Sequence, residues 1–220
     1  MIKLSRSRLE LFLDCPRCFW LEMNKGVRRP QPAPYTINSA IDNLLKEEFD
    51  ECRRSGKVHY LLKRYGFNVS LYNGEELNEW RDSFTGIRFE HKKTDFLVYG
   101  AVDDIWVNPE GELVVVDFKA TGANEYKIYD NYRRQMEIYQ WLLLANRYKV
   151  SSIGYFIFAK VNKRNGFSEG RLSFDLFIES CQGDSCWVED ALIAARETFD
   201  GEIPPYKQDC PYCQFIQGSR

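Results

Sequence analysis

The sequence has no long apolar run. Its longest stretches, such as Trp-Leu-Leu-Leu-Ala at 141–145, fall far short of the roughly 20 residues that span a bilayer. It also lacks a leader-like opening, because Arg and Glu interrupt the apolar residues of the first dozen positions. Internal repeats and low-complexity segments are missing too. These absences predict a cytoplasmic chain with no membrane partner. Charge of one sign is equally absent: 30 Lys and Arg stand against 32 Asp and Glu, a formal net charge of −2, with an isoelectric point of about 5.8. A protein that coats duplex nucleic acid is strongly basic, with an isoelectric point above about 9. Any nucleic-acid contact must therefore use local clusters, for which Lys25, Arg28 and Arg29, Lys63 and Arg64, Lys92 and Lys93, and Arg133 and Arg134 are candidates; singly, each reads as a solvated face. Histidine is scarce, and His59 and His91 fit no motif, so both read as structural.

What is there is enough for a core. Of 220 residues, 44% are hydrophobic and 15% aromatic, apolar surface sufficient to offset the ordering entropy of one sizeable fold. A single domain over residues 1–220 is expected. Seven cysteines are spaced unevenly: Cys-Pro-Arg-Cys at 15–18, Cys52, Cys181, Cys186, and Cys-Pro-Tyr-Cys at 210–213. In a cytoplasmic chain such CxxC pairs read as metal ligands rather than disulfides. Cys52, Cys181 and Cys186 read as buried free thiols.

Periodicity supplies the elements. Ser7 and Glu10 have capping-box spacing ahead of Leu9, Phe12 and Leu13, predicting a short helix that Pro16 ends, with the first CxxC at a turn. After a Pro-rich stretch at 28–35, Ile41, Leu44, Leu45, Phe49 and Cys52 recur with helical period from Ser39, for about four turns. Residues 56–82 carry little pattern beyond a short helix through Leu77, Trp80 and Arg81. Residues 96–107 and 112–120 read as two strands joined by Asn-Pro-Glu-Gly. Helical period returns at 132–148, with Tyr132, Gln135, Met136 and Tyr139 on one face. Strands at 152–160 and 171–179, a helix from Val188 that Gly201 terminates, and a turn-like tail complete the chain. This order predicts an α/β fold with a central mixed sheet flanked by helices.

The chemistry concentrates in the hairpin. Strand alternation puts Asp117 and Lys119 on one side and Phe118 on the other, toward a helix. A charged pair on a buried strand is costly unless the charges serve a ligand or each other, and a plain Asp117–Lys119 salt bridge is the simplest alternative. The preceding strand offers Asp103 and Asp104; a five-residue loop at 108–112 sets Asp103 opposite Asp117, whereas a four-residue loop favours Asp104. Two converging carboxylates make a hard oxygen site suited to Mg²⁺ or Mn²⁺. A neighbouring lysine can orient a water and stabilise charge at a phosphoryl centre.

Gly-Ala-Val-Asp at 100–103 followed by Val-Val-Val-Asp-Phe-Lys-Ala at 114–120 resembles the G-x-hydrophobic-D and D-x-K motifs of the PD-(D/E)xK nuclease superfamily. The likeness is to its RecB-like branch, which includes CRISPR-associated exonucleases and the AddB nuclease domain. That branch carries Q-x-x-x-Y on the next helix, matched by Gln135 and Tyr139, and a serine-led N-terminal helix running into Cys-Pro, matched by residues 7–16. The resemblance extends from residue 5 to 213; the order and spacing of the motifs are specific, not any one alone. It implies a restriction-endonuclease-like core at about 84–160, Asp103 and Asp117 as ligands of Mg²⁺ or Mn²⁺, Lys119 positioning the attacking water, and Gln135 and Tyr139 supporting the site or touching DNA. Asp103 is preferred to Asp104 because Val102 and Ile105 give the family's hydrophobic flanks.

Two departures stand out. Where many RecB-like enzymes have a metal-binding histidine on an early helix, this chain has Asp42, another oxygen ligand or else a solvent-facing residue. Where the branch holds an iron-sulfur cluster with one cysteine before the core and three after, this chain offers two and two: Cys15, Cys18, Cys210 and Cys213. The resemblance implies a [4Fe-4S] cluster there, with Zn²⁺ as the alternative for paired CxxC knuckles, and a metal clamp joining the two ends of the chain. The implied function is an exonuclease or DNA end-processing enzyme acting on single strands or duplex ends, among other DNA-repair or CRISPR proteins. The alternative is a non-catalytic DNA-binding or assembly module that keeps the nuclease fold.

Overall fold

The computed structural model describes residues 1–30 and 36–218, so residues 31–35 of the Pro-rich stretch lie outside the described residues. In chain order the elements are β1 (Ile2–Ser5), α1 (Arg6–Asp14), α2 (Pro16–Lys25), α3 (Thr36–Ser55), α4 (Tyr60–Tyr65), β2 (Ser70–Leu71), α5 (Leu77–Arg81), β3 (Ile87–His91), β4 (Phe96–Gly100), β5 (Asp104–Val107), β6 (Leu113–Thr121), α6 (Asp130–Ala145), β7 (Ile153–Val161), β8 (Phe174–Gln182), α7 (Trp187–Asp200) and α8 (Pro211–Gly218). They build two sheets, one of five strands in the order β2-β5-β6-β7-β8 and one of three in the order β1-β4-β3. Both are mixed, because β6 runs parallel to β7 and β1 parallel to β4, while the other pairs are antiparallel. This is the α/β architecture with helix-flanked mixed sheets that the sequence predicts.

Alternation along β6 feeds two cores. Leu113 and Val115 pack with α6, α7 and the N-terminal helices through Met136, Leu142, Leu192, Leu9 and Phe19. Val114, Val116 and Phe118 pack on the other face against Ile41, Leu45 and Phe49 of α3 and Leu61 and Leu62 of α4. Phe118 thus faces a helix, its ring 5.7 Å from that of Phe49. Phe49 is fully buried, and a side chain of that size contributes up to about 3 kcal/mol by leaving water.

Several boundaries differ from expectation. The cap of α1 is Ser5, not Ser7: its hydroxyl accepts from the Arg8 amide at 3.3 Å, because β1 delivers the chain in extended form up to that residue. Pro16 ends α1 and opens α2 at the first helical position, where a missing N–H costs nothing. The third helix has 20 residues, longer than about four turns. Residues 96–107 are not one strand. The chain leaves β4 after Gly100 and re-enters as β5 in the other sheet, and only β5 pairs with β6. Helix α4 and strand β2 arise within 56–82, where tertiary packing rather than periodicity decides. The tail holds a helix, α8.

Candidate active site

The loop between β5 and β6 spans 108–112, with Val107 opposite Leu113 and Asp104 opposite Val116. Continuing that register brings Asp103 across from Asp117. The two neighbouring aspartates therefore diverge. Asp103 faces α6, and its Oδ2 accepts from the Phe118 amide at 2.8 Å. Asp104 turns to the opposite face, fully buried, where its Oδ1 accepts from Arg53 at 2.6 Å and Arg81 at 2.7 Å.

Asp103, Asp117, Lys119, Gln135, Tyr139 and Asp42 all line one cleft of about 350 Å³ between the N-terminal half of α3, β6 and α6. Gln135 is its organiser. Its Nε2 donates to Asp117 Oδ1 at 2.7 Å and to the Tyr139 hydroxyl at 3.1 Å, while its Oε1 accepts from Lys119 Nζ at 3.3 Å. Gln135 and Tyr139 share a helical face because they lie four residues apart. The Tyr139 ring can close on the sheet because residue 100 is glycine: a Cβ there would lie 2.8 Å from the ring. The Lys119 ammonium pairs with Asp117 and lies 4.8 Å from the centre of the Tyr132 ring.

The electrostatics are those of crowded acids held by amines. Burial, and then the charge of Asp103, pushes the Asp117 carboxyl up to about 7 against the opposing pull of Lys119. Burial and Asp103 likewise raise Asp42 above the usual carboxylate range. Burial works against the charge of Lys119, but Asp117 and Asp103 outweigh it and hold the ammonium more firmly protonated than a free lysine.

Lys46, one turn along α3 from Asp42, is a member of the site that sequence reasoning missed. Its Nζ lies 2.8 Å from Asp42 Oδ2 and 3.0 Å from Asp103 Oδ1. The i,i+4 spacing of Asp42 and Lys46 was the available signal. Arg6, at the start of α1, is close enough for its charge to act on both Asp117 and Tyr139.

The four paired cysteines meet far from this cleft in sequence terms. Each CxxC has the same build: the first cysteine precedes a helix, proline opens it, and the second cysteine lies in its first turn, in α2 for Cys18 and α8 for Cys213. Burial pushes the Cys18 thiol up to about 12 and raises Cys213 as well, a cost to the thiolates that a bound cation offsets. The sulfurs of Cys15, Cys18, Cys210 and Cys213 all lie within 4.8 Å of one another and are buried, with Cys15 to Cys213 at 3.6 Å and Cys18 to Cys210 at 3.8 Å. Arg29 Nη2 donates to Cys210 Sγ at 3.3 Å. This donor set can hold a metal. Of the other thiols, Cys181 is buried, Cys52 half-buried and Cys186 exposed, so the expectation of burial fails for Cys186 at the mouth of α7. Neither histidine lines the cleft: His59 caps α4 and stacks on Phe49, and His91 bonds Thr94 and Glu189.

The family model of the PD-(D/E)XK nuclease superfamily matches residues 28–217, and the chain belongs to that superfamily. Solved structures similar in fold include SSO0001, with 16% identity and a TM-score of 0.45 over 98% of this chain and 84% of that one. An alkaline exonuclease from Laribacter hongkongensis gives 9% and 0.43 over 99% and 92%. A phage-related exonuclease from Haemophilus somnus gives 13% and 0.44 over 100% and 97%. No curated protein gives a significant match. Among the described residues no helix is long and apolar enough to cross a membrane.

Proposed function

We propose that the chain is a divalent-cation-dependent deoxyribonuclease that removes nucleotides from DNA ends, single-stranded or duplex. One observation carries the reading: the Gln135 amide bonds Asp117 through one end and Lys119 through the other, fixing acid and amine as a unit beside Asp103. A structural salt bridge needs no such amide and no open cleft.

The residues suit a hard cation. Asp117 Oδ2 is buried without a well-formed hydrogen bond, although the Lys119 ammonium lies against it as an ion pair. Asp103 and Asp117 would hold Mg²⁺ or Mn²⁺, with Asp42 at the margin. Such an ion, when bound, polarises the phosphoryl oxygen and makes an adjacent water more acidic. The chain's own groups do the rest. Lys119, beside Asp117 at the cleft, would orient the attacking water and donate to a phosphoryl oxygen. Gln135 keeps Asp117 aimed into the cleft, and Tyr139 holds Gln135.

Within the superfamily we assign the chain to the RecB-like branch, similar to CRISPR-associated exonucleases and the AddB nuclease domain. The turn of both Gln135 and Tyr139 into the cleft supports that assignment, which implies other DNA-repair or CRISPR proteins as partners. Residues 1–220 are read as one domain, fastened at 15–18 and 210–213. For the fastening ion the sulfur spacing favours zinc: Zn–S bonds of about 2.3 Å in a tetrahedron set sulfurs about 3.8 Å apart, close to the two separations above. A [4Fe-4S] cubane, with a separate iron under each thiolate, spreads them wider.

End-labelled single-stranded and duplex DNA, incubated with the protein and Mg²⁺ or Mn²⁺, should yield short products from the ends and leave closed circles intact. Lys119→Ala and Asp117→Ala should each abolish the reaction. Cleavage persisting in both variants would remove this site from consideration, and cleavage of closed circles would make the enzyme an endonuclease.

A further inference from the structure

Two carboxylates of the cleft already share a cation, and that cation is an ammonium. Lys46 Nζ lies 2.8 Å from Asp42 Oδ2 and 3.0 Å from Asp103 Oδ1, so one positive centre bridges an acid of α3 and the acid just before β5. The Lys46 side chain is only about one-fifth exposed. A divalent cation bridging Asp42 and Asp103 would need the same place. The other acid of the cleft, Asp117, has its own amine in Lys119, and Lys46 is not paired with it.

We propose that Lys46 is the resident second cation of this site: its ammonium fills the position between Asp42 and Asp103, so the cleft accepts one divalent ion, held by Asp103 and Asp117, and not two. The inference rests on the reading of Asp103 and Asp117 as cation ligands and adds to it a stoichiometry and a role for Asp42. Charge balance points the same way. When ionised, the three carboxylates are matched by Lys46, Lys119 and the Arg6 guanidinium that acts on Asp117, so a single divalent ion leaves two surplus positive charges, which one phosphodiester reduces to one. A second divalent ion beside both lysines would leave a strongly positive cleft at close quarters, a costly arrangement. A bound ammonium also differs from a second metal in kind. It donates hydrogen bonds along fixed directions and cannot make a water acidic by coordination, so in this enzyme that task falls to one ion alone. Asp42 then serves as the anchor that keeps Lys46 over the cleft.

The test is a count of bound ions. Protein purified with its cysteine-held metal in place is titrated with Mn²⁺ at pH 8, with free Mn²⁺ read by electron paramagnetic resonance and folding checked by thermal melts. The wild type should bind one Mn²⁺ per chain, lost in Asp117→Asn. Lys46→Met and Lys46→Gln should each bind a second Mn²⁺, which disappears again when Asp42→Asn is added to either. Two ions on the wild type, or one ion only on both folded Lys46 variants, would overturn the assignment of Lys46. Unchanged Mn²⁺ binding in Asp117→Asn would instead overturn the carboxylate site itself, so the two failures are distinguishable.

Discussion

Asp103 and Asp104 are adjacent in sequence and belong to different systems. Asp103 opens into the cleft and accepts from the Phe118 amide, whereas Asp104 is fully buried on the other face of the sheet and holds Arg53 of α3 and Arg81 of α5. One residue lines the cleft, and its neighbour fastens helices to the strand that follows it.

That division predicts opposite phenotypes. Asp103→Asn should abolish cleavage while leaving thermal stability nearly unchanged, since its side chain is partly solvated and one of its partners is an amide that Asn Oδ1 can still accept from. Asp104→Ala removes the buried acid that Arg53 and Arg81 share, leaving them the more exposed Asp50 as an acidic partner, and should cost about 3 kcal/mol, lowering the melting temperature while the remaining folded protein keeps Asp103, Asp117 and Lys119. Urea denaturation and cleavage assays on both variants check this. Equal loss of stability in the two would show that the division is wrong.

Gln135 gives a different signature. It touches Asp117, Lys119 and Tyr139 but offers no charge, so Gln135→Ala should reduce cleavage about 10- to 100-fold, the usual effect of losing a partner that orients a ligand. Gln135→Glu should be worse, because it sets a carboxylate against the carboxylate of Asp117. Single-turnover rates at saturating DNA measure both. A Gln135→Ala enzyme as fast as wild type would make the amide a packing residue.

Much of this site was readable in the sequence because its members sit in short-range patterns. Asp117 and Lys119 share a strand face by the period of two, Gln135 and Tyr139 share a helix face by the period of four, and the loop of 108–112 chooses Asp103 once its length is known. Lys46 was readable only in part, through its i,i+4 spacing with Asp42. Its contact with Asp103 joins α3 to the edge of the sheet, a relation fixed by tertiary packing that no local spacing reports. The same cause hid the break after Gly100: 96–107 is β-rich throughout, and only pairing with β1 and β3 on one side and β6 on the other divides it between sheets. Helix α8 was missed because proline and cysteine at 210–211 read as turn residues, although proline is also suited to a helix start.

Ion binding should depend on pH in a defined direction. In the ion-free protein, burial and Asp103 lift the Asp117 carboxyl to about 7, so below that value the folded protein carries a proton that the cation must displace. Mn²⁺ affinity should therefore rise with pH, up to about tenfold per unit below pH 7, and level off above it, with protons released to buffer on binding in the acidic range. The sign also holds for stability. A raised carboxyl binds its proton more tightly when folded, so this residue's contribution to ion-free stability declines as pH rises from its ordinary range toward 7, and Asp117→Asn should flatten that decline. Calorimetric titrations in two buffers of different ionisation heat, repeated between pH 5.5 and 8.5, measure the protons. Affinity independent of pH would show that Asp117 is already ionised without the ion.

The four thiols should govern whether the chain folds as one piece. Cys15 and Cys213 lie 3.6 Å apart although 198 residues separate them, so a metal there closes almost the entire described chain and its binding energy is folding energy. Freshly isolated protein should be colourless and carry one zinc per chain by elemental analysis. Removing the zinc with a chelator, or replacing a single ligand as in Cys213→Ser, should release α8 from α1 and α2 and lower the melting temperature, while Cys186→Ser, outside the cluster and exposed, should leave it unchanged. Because none of the four cysteines lines the cleft, the residual folded fraction should still cleave DNA, so stability should fall further than the rate per folded molecule. Brown protein containing about four irons per chain would reverse the assignment to zinc and restore the [4Fe-4S] cluster, and unchanged melting after chelation would show that the thiols do not bind metal at all.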